Sequence, residues 1–114
     1  MTIRRLKTYT GSQGYVYQYY FVGQRPMEIG ATEYVFDVTS DRKTTYPVSV
    51  ILTKRVVSAW QEVHGRPLTA AEQYAAVKLR LFRAFDELEN MQDVTQLQVD
   101  HSGLEETLSS LGID

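Results

Sequence analysis

Residues 14–23 read GYVYQYYFVG and place five aromatic rings in ten positions. A run of this kind fits a β-strand, because ring side chains pack well on a pleated surface and lose rotamer freedom in a helix. Alternate strand residues point to opposite faces. Tyr15, Tyr17, Tyr19 and Phe21 therefore share one face, and Val16, Gln18, Tyr20 and Val22 share the other. Each aromatic side chain buries roughly 150–250 Å², so the four-ring face is expected to point into a core. The other face is still apolar enough to need cover, since monomers rarely expose large contiguous apolar patches. A strand with apolar residues on both sides limits the fold to a sheet held between two layers, or between a core and a partner.

The remaining pattern supplies that sheet. Residues 2–9 form a possible first strand, with a TGSQG turn at 10–14, the aromatic strand at 15–22 and a glycine-bounded loop at 23–31. Residues 32–39 alternate, with Tyr34, Phe36 and Val38 on one side. SDRKT makes a polar hairpin turn, and 45–52 continue as a strand carrying Tyr46, Val48, Val50 and Leu52 in step. The apolar period then changes from 2 to 3.6. Thr53 is an N-cap candidate for a helix whose apolar side holds Val56, Val57, Trp60 and Val63 and which ends at Gly65. Thr69 and Glu72 form a capping box that opens a helix from about 70 to 90, with Tyr74, Val77, Leu81, Phe85 and Leu88 as its main stripe. Residues 93–100 are a possible short strand. Ser102 with Glu105 reads as a second capping box before a brief helix bearing Leu104, Leu108 and Leu111.

Charge is unevenly divided. Net charge is −2 over 114 residues, yet all twelve Lys and Arg lie at or before Arg83. Six acids fall within that same stretch and eight follow it, which leaves residues 1–83 at +6 and the remainder at −8. An acidic tail packing against its own basic body accounts for this. The absence of cysteine excludes disulfides and thiol chemistry. Met1–Leu6 has charge without an apolar run behind it, and no stretch reaches membrane-spanning length. A soluble, cytoplasmic chain is the expectation.

No pattern for catalysis, cofactor binding or metal ligation emerges. His64 and His101 are isolated, and His64 at a helix end is expected to meet the helix dipole. GSQG lacks the lysine and spacing of a phosphate-binding loop. Asp100, His101 and Ser102 are consecutive and lack a nucleophile-elbow context. Lys78 falls inside the apolar stripe of the long helix, where snorkelling or pairing with Asp37 or Glu33 is expected. The order strand–turn–strand–helix ending in VSVILTKRVVSAW resembles, in element order alone, the transcriptional-coactivator type of single-stranded DNA-binding fold.

These features point to an α+β fold: an antiparallel sheet of three to five strands with two helices packed on one face, plus a short C-terminal strand and helix. Residues 1–92 form the domain, and 93–114 are an acidic extension packed on it or flexibly attached. The expected role is non-enzymatic and acts through protein contacts, with a homodimer as one form. Val16, Tyr20, Val22, Val35 and Ile51 make the contact surface. The alternative is binding of single-stranded nucleic acid or another polyanion by Arg4, Arg5, Lys7, Arg25, Arg42 and Lys43, modulated by the acidic segment.

Overall fold

A computed structural model describes residues 6–28 and 30–114. Its strands are β1 (Lys7–Thr10), β2 (Val16–Met27), β3 (Ala31–Thr39), β4 (Tyr46–Thr53) and β5 (Gln96–Gln98), and its helices are α1 (Lys54–His64), α2 (Ala70–Glu87) and α3 (His101–Ser110). A single 3-10 turn, Met91–Asp93, precedes β5. The fold is α+β. The sheet order is β1-β2-β3-β4-β5, antiparallel from β1 to β4. β5 lies parallel to β4. Parallel neighbours need a long crossover, and α1 and α2 supply it. The sheet is thus mixed where alternation alone suggested a wholly antiparallel one.

The ring-bearing strand packs against α2. Tyr17 stacks on Phe85 with centroids 4.3 Å apart, Tyr19 meets Phe82 edge-on at 5.4 Å, and Phe36 lies 6.3 Å from Tyr74. Val48, Val50 and Leu52 of β4, Val56 and Trp60 of α1, and Val77 and Leu81 of α2 complete the same core. Leu97, Val99, Leu104 and Leu108 join it as well, so the C-terminal segment packs with the helices and leaves the opposite sheet face alone.

Two of the four inward residues depart from expectation. Tyr15 is 51% exposed because it precedes the first paired residue, Val16. Phe21 is 37% exposed, although it touches Tyr34, Phe36 and Tyr74. β1 pairs with β2 only between Val16 and Tyr19, so Phe21 stands where β2 has no described neighbour on that flank. The stretch 23–31, expected as a loop, is mostly strand. Phe21 pairs with Phe36 and Gly23 with Val35, which makes Val22 the extra residue of a β-bulge. Pro26 pairs opposite Thr32, and its missing N–H is tolerated on an unshared strand flank.

Local signals at the helix ends hold. Thr53 caps α1 by accepting from the Val56 N–H at 3.3 Å, and Gly65 adopts φ 75° at its C-terminus. Thr69 and Glu72 form the reciprocal capping box of α2. α3 is capped differently: Asp100 accepts from the Gly103 N–H at 2.7 Å, which places the helix start ahead of Ser102. His64 finds a side-chain partner rather than only a helix terminus. Its Nε2 lies 2.8 and 3.1 Å from the two Glu105 carboxylate oxygens, while its ring stacks on Trp60 at 4.1 Å. The turn between β1 and β2 is tied to the end of α2. The Tyr9 hydroxyl and the Ser12 N–H both donate to the Asp86 carboxylate, at 2.9 Å each. A Cβ at Gly11 would come within 2.8 Å of the Phe85 carbonyl oxygen, so that approach requires glycine.

Two outcomes follow from this packing. Phe85→Ala removes a fully buried ring and is expected to cost about 3–5 kcal/mol in urea unfolding. The second concerns Glu72, which Arg66 grips through two hydrogen bonds of 3.0 Å. The guanidinium, then the Thr69 N–H, hold its carboxyl down at about 2 against an ordinary 4.5. A depressed folded-state pKa stabilises above the unfolded value and is lost as pH falls through the folded one. The melting-temperature gap between wild type and Glu72→Gln should therefore be largest near neutral pH and close between pH 4.5 and about 2.

Candidate interaction face

Opposite the ring-packed side, β1 to β5 present a second sheet face. Its central columns come from β2 and β3. Val16, Gln18 and Tyr20 lead into the bulge at Val22, and beyond it Gly23 pairs with Val35 and Arg25 with Glu33. β4 adds Ser49 and Ile51, which pair with Val35 and Glu33.

Five residues expected to form the contact surface fall on this face with unequal access. Val16 is 42% and Val22 50% exposed, and both point away from the core. Val35 and Tyr20 are half-buried. Ile51 is only 3% exposed, shut in between Glu33 on β3 and Gln98 on β5, so it supports the face without offering surface. A shallow depression of about 340 Å³ lies along Val22, Gly23, Gln24, Arg25 and Val35. It continues past Arg25 into a second hollow lined by Pro26, Met27, Glu28 and Glu33.

Polar groups on the face are organised in cross-strand pairs. Tyr20 donates to the Asp37 carboxylate directly opposite. Arg25 donates to one Glu33 oxygen, and the Ser49 hydroxyl donates to the other at 2.8 Å. The Ser49 hydrogen bond, then the Arg25 guanidinium, hold the Glu33 carboxyl below its ordinary value. The bulge made this ladder hard to foresee. A two-residue period carried through Val22 puts Arg25 on the wrong side, and Gly23 and Pro26 read as loop chemistry. The register opposite Thr32–Val35 is the only clue to it.

Among the described residues, the polyanion candidates Lys7, Arg25, Arg42 and Lys43 do not converge. Lys7 pairs with Tyr19, on the ring-bearing side of β1. Arg25 is engaged by Glu33. Arg42 and Lys43 are exposed in the β3–β4 turn, where Arg42 takes φ 64°. That turn follows Thr39, which pairs with Gln18. Seven residues separate Gln18 from Arg25, a strand distance of about 24 Å. Arg4 and Arg5 lie outside the described residues. The Lys78 ammonium lies over the Phe82 ring on the ring-packed side, away from Asp37 and Glu33 on the opposite sheet face. Among the described residues, no three His, Asp or Glu side chains cluster in a way that would hold a metal ion, and no helix is long and apolar enough to cross a membrane.

The chain matches no known family model, no curated protein and no solved structure.

The Arg25–Glu33–Ser49 ladder has a pH signature. Because Glu33 is depressed in the folded state, its stabilisation is present above the unfolded pKa and fades as pH falls through the folded one. Glu33→Gln should lower the melting temperature near neutral pH. The difference from wild type should shrink below pH 4.5.

Proposed function

We propose that this chain is a non-enzymatic binding module that self-associates through the open sheet face. The observation that carries this reading is the pair of exposed valines, Val16 and Val22, flanking half-buried Tyr20 and Val35 on the side away from the core. Placing α1 and α2 together on the ring-bearing face leaves that side bare among the described residues. The core that these helices share with Tyr17, Tyr19 and Phe36 supports this arrangement.

A second copy fits better than a partner of one charge. The face carries Arg25 beside Glu33 and Tyr20 beside Asp37, so both signs lie within one patch. A two-fold interface needs such self-complementarity, since each residue meets the partner's symmetric counterpart. The size is adequate for this. The five strands hold 36 residues in all, and at ~4.8 Å between strands and ~3.4 Å per residue each covers roughly 16 Å² of the sheet. Side-chain relief raises that projected area of roughly 600 Å² toward the ~800 Å² per partner of a standard interface. The dispersion of Lys7, Arg25, Arg42 and Lys43 over two faces and two ends of the sheet disfavours a polyanion groove.

Light scattering on the full chain over a range of concentrations tests this directly. The wild type should be a dimer, and Val16→Glu combined with Val22→Glu should give monomers with unchanged circular dichroism. A wild type that stays monomeric, or a double variant that stays dimeric, overturns the interface. A monomer that retains single-stranded oligonucleotide with a steep salt dependence replaces it with the polyanion reading.

A further inference from the structure

Away from the open sheet face, the helical layer holds a cleft of about 210 Å³ between α1 and α3. Val56, Ala59, Trp60 and Val63 recur at helical spacing and form one stripe of α1. Leu104 and Glu105, one turn after His101 on α3, line the opposite side. The walls are apolar: Val56, Trp60 and Leu104 are buried, and Ala59 is half-buried. Val63 and His101 mark the mouth, and Val63 is left 75% exposed there. An apolar cavity of ~150 Å³ admits benzene, so this cleft has room for one aromatic ring and a short chain.

A single carboxylate is held ready beside that apolar space. Glu105 lines the cleft, and His64 Nε2 lies 2.8 and 3.1 Å from its two oxygens. His64 is fixed in turn by stacking on Trp60 at 4.1 Å. A carboxylate offers about four lone-pair positions, and one imidazole nitrogen leaves most of them open. The Glu105 side chain is 46% exposed, so a ligand can reach them. Among the described residues, no Lys or Arg lines the cleft. Arg66 lies over the Trp60 ring at 5.0 Å, but both Glu72 oxygens engage its guanidinium. The α3 wall also belongs to the stretch after Arg83, which has eight acids and no base.

We propose that this cleft binds a small primary amine built on one aromatic ring. The ring lies among Ala59, Trp60 and Leu104 and covers Val63, and the ammonium donates to Glu105. Small-molecule sites have this composition, an apolar hollow with few placed polar groups. Ring-to-ring contact with Trp60 favours an aromatic body over an aliphatic one of equal area. An aromatic acid of the same shape meets like charge at Glu105. An alcohol of that shape gains a weaker hydrogen bond there than a charged ammonium does.

Trp60 is the only tryptophan of the chain, so its emission reports the cleft directly. The probe is 2-phenylethylamine, titrated into the full chain near neutral pH and followed by Trp60 emission and by isothermal calorimetry. Saturable binding is expected, about tenfold tighter than for 2-phenylethanol. In Glu105→Gln the amine should lose that advantage while the alcohol binds as before. Ala59→Leu, which fills the cleft, should remove binding of both, and it serves as the second variant if Glu105→Gln fails to fold. No saturation by either measurement, an alcohol that binds as tightly as the amine, or a folded Ala59→Leu chain that binds the amine like wild type would each overturn the assignment.

Discussion

The contact between Tyr17 and Phe85 decides which way the sheet faces. These rings lie parallel at 4.3 Å, one from the aromatic strand and one from the last turns of α2. Tyr19, Phe82 and Tyr9 extend the contact into a connected group of rings. Each such aromatic pair contributes about 0.5–1.5 kcal/mol beyond the area it buries. Polar bonds from the β1–β2 turn lock the same end: Asp86 accepts from Tyr9 and Ser12, and Gly11 slides beneath the Phe85 carbonyl. Because strand side chains alternate, fixing Tyr17 and Tyr19 inward sends Val16 and Tyr20 outward with no further choice. The outer face therefore follows from the inner one.

The charge division along the chain becomes a local arrangement in three dimensions. The acidic stretch after Arg83 folds back over α2, which carries Arg80 and Arg83. Arg80 donates to the Gln98 carbonyl at 2.9 Å, and Arg83 donates to Glu87 at 3.1 Å. The Asp100 carboxyl, held low first by the Gly103 N–H, also feels both arginines. Arg66 reaches the Asp114 carbonyl, and Glu105 meets His64. Exposed pairs of this kind contribute little individually. Here they surround an apolar joint made by Leu104 and Leu108, which carries most of the docking energy.

Most of the fold was readable where one local rule acted alone. Thr53, Gly65 and the Thr69–Glu72 box marked helix ends from backbone hydrogen-bonding needs that do not depend on tertiary context. The even-numbered residues of β3 and β4 declared their buried side by strict alternation. Reading failed where distant partners decided. Tyr15 and Phe21 obey the same alternation as Tyr17 and Tyr19, but burial requires something opposite them, and among the described residues β1 pairs with β2 no further than Tyr19. The cap of α3 was also missed: Asp100 accepts from the Gly103 N–H, and Ser102, already inside the helix, donates its hydroxyl to Asp100. Of the candidate contact residues, Val16 and Val22 were legible as surface from their neighbours in sequence. Ile51 was not, because its burial depends on the parallel strand that returns from residue 96 onward.

The bulge at Val22 shows how one inserted residue reconciles two incompatible demands. Before it, odd-numbered residues of β2 face the rings and even-numbered ones face out. If that parity continued, Arg25 would point to the ring-bearing side, into the exposed place opposite Tyr34 that Gln24 takes, and away from Glu33 on the outer face. With Val22 left over, Gly23 pairs with Val35 and Arg25 comes round to meet Glu33. The strand keeps its ladder to β3 through Met27, and the cation reaches an acid on an adjacent column. The bulge also swings Val22 itself into the depression beside Val35. The device that brings Arg25 to Glu33 thus sits where Val22, already outward by parity, meets Val35 on the outer face.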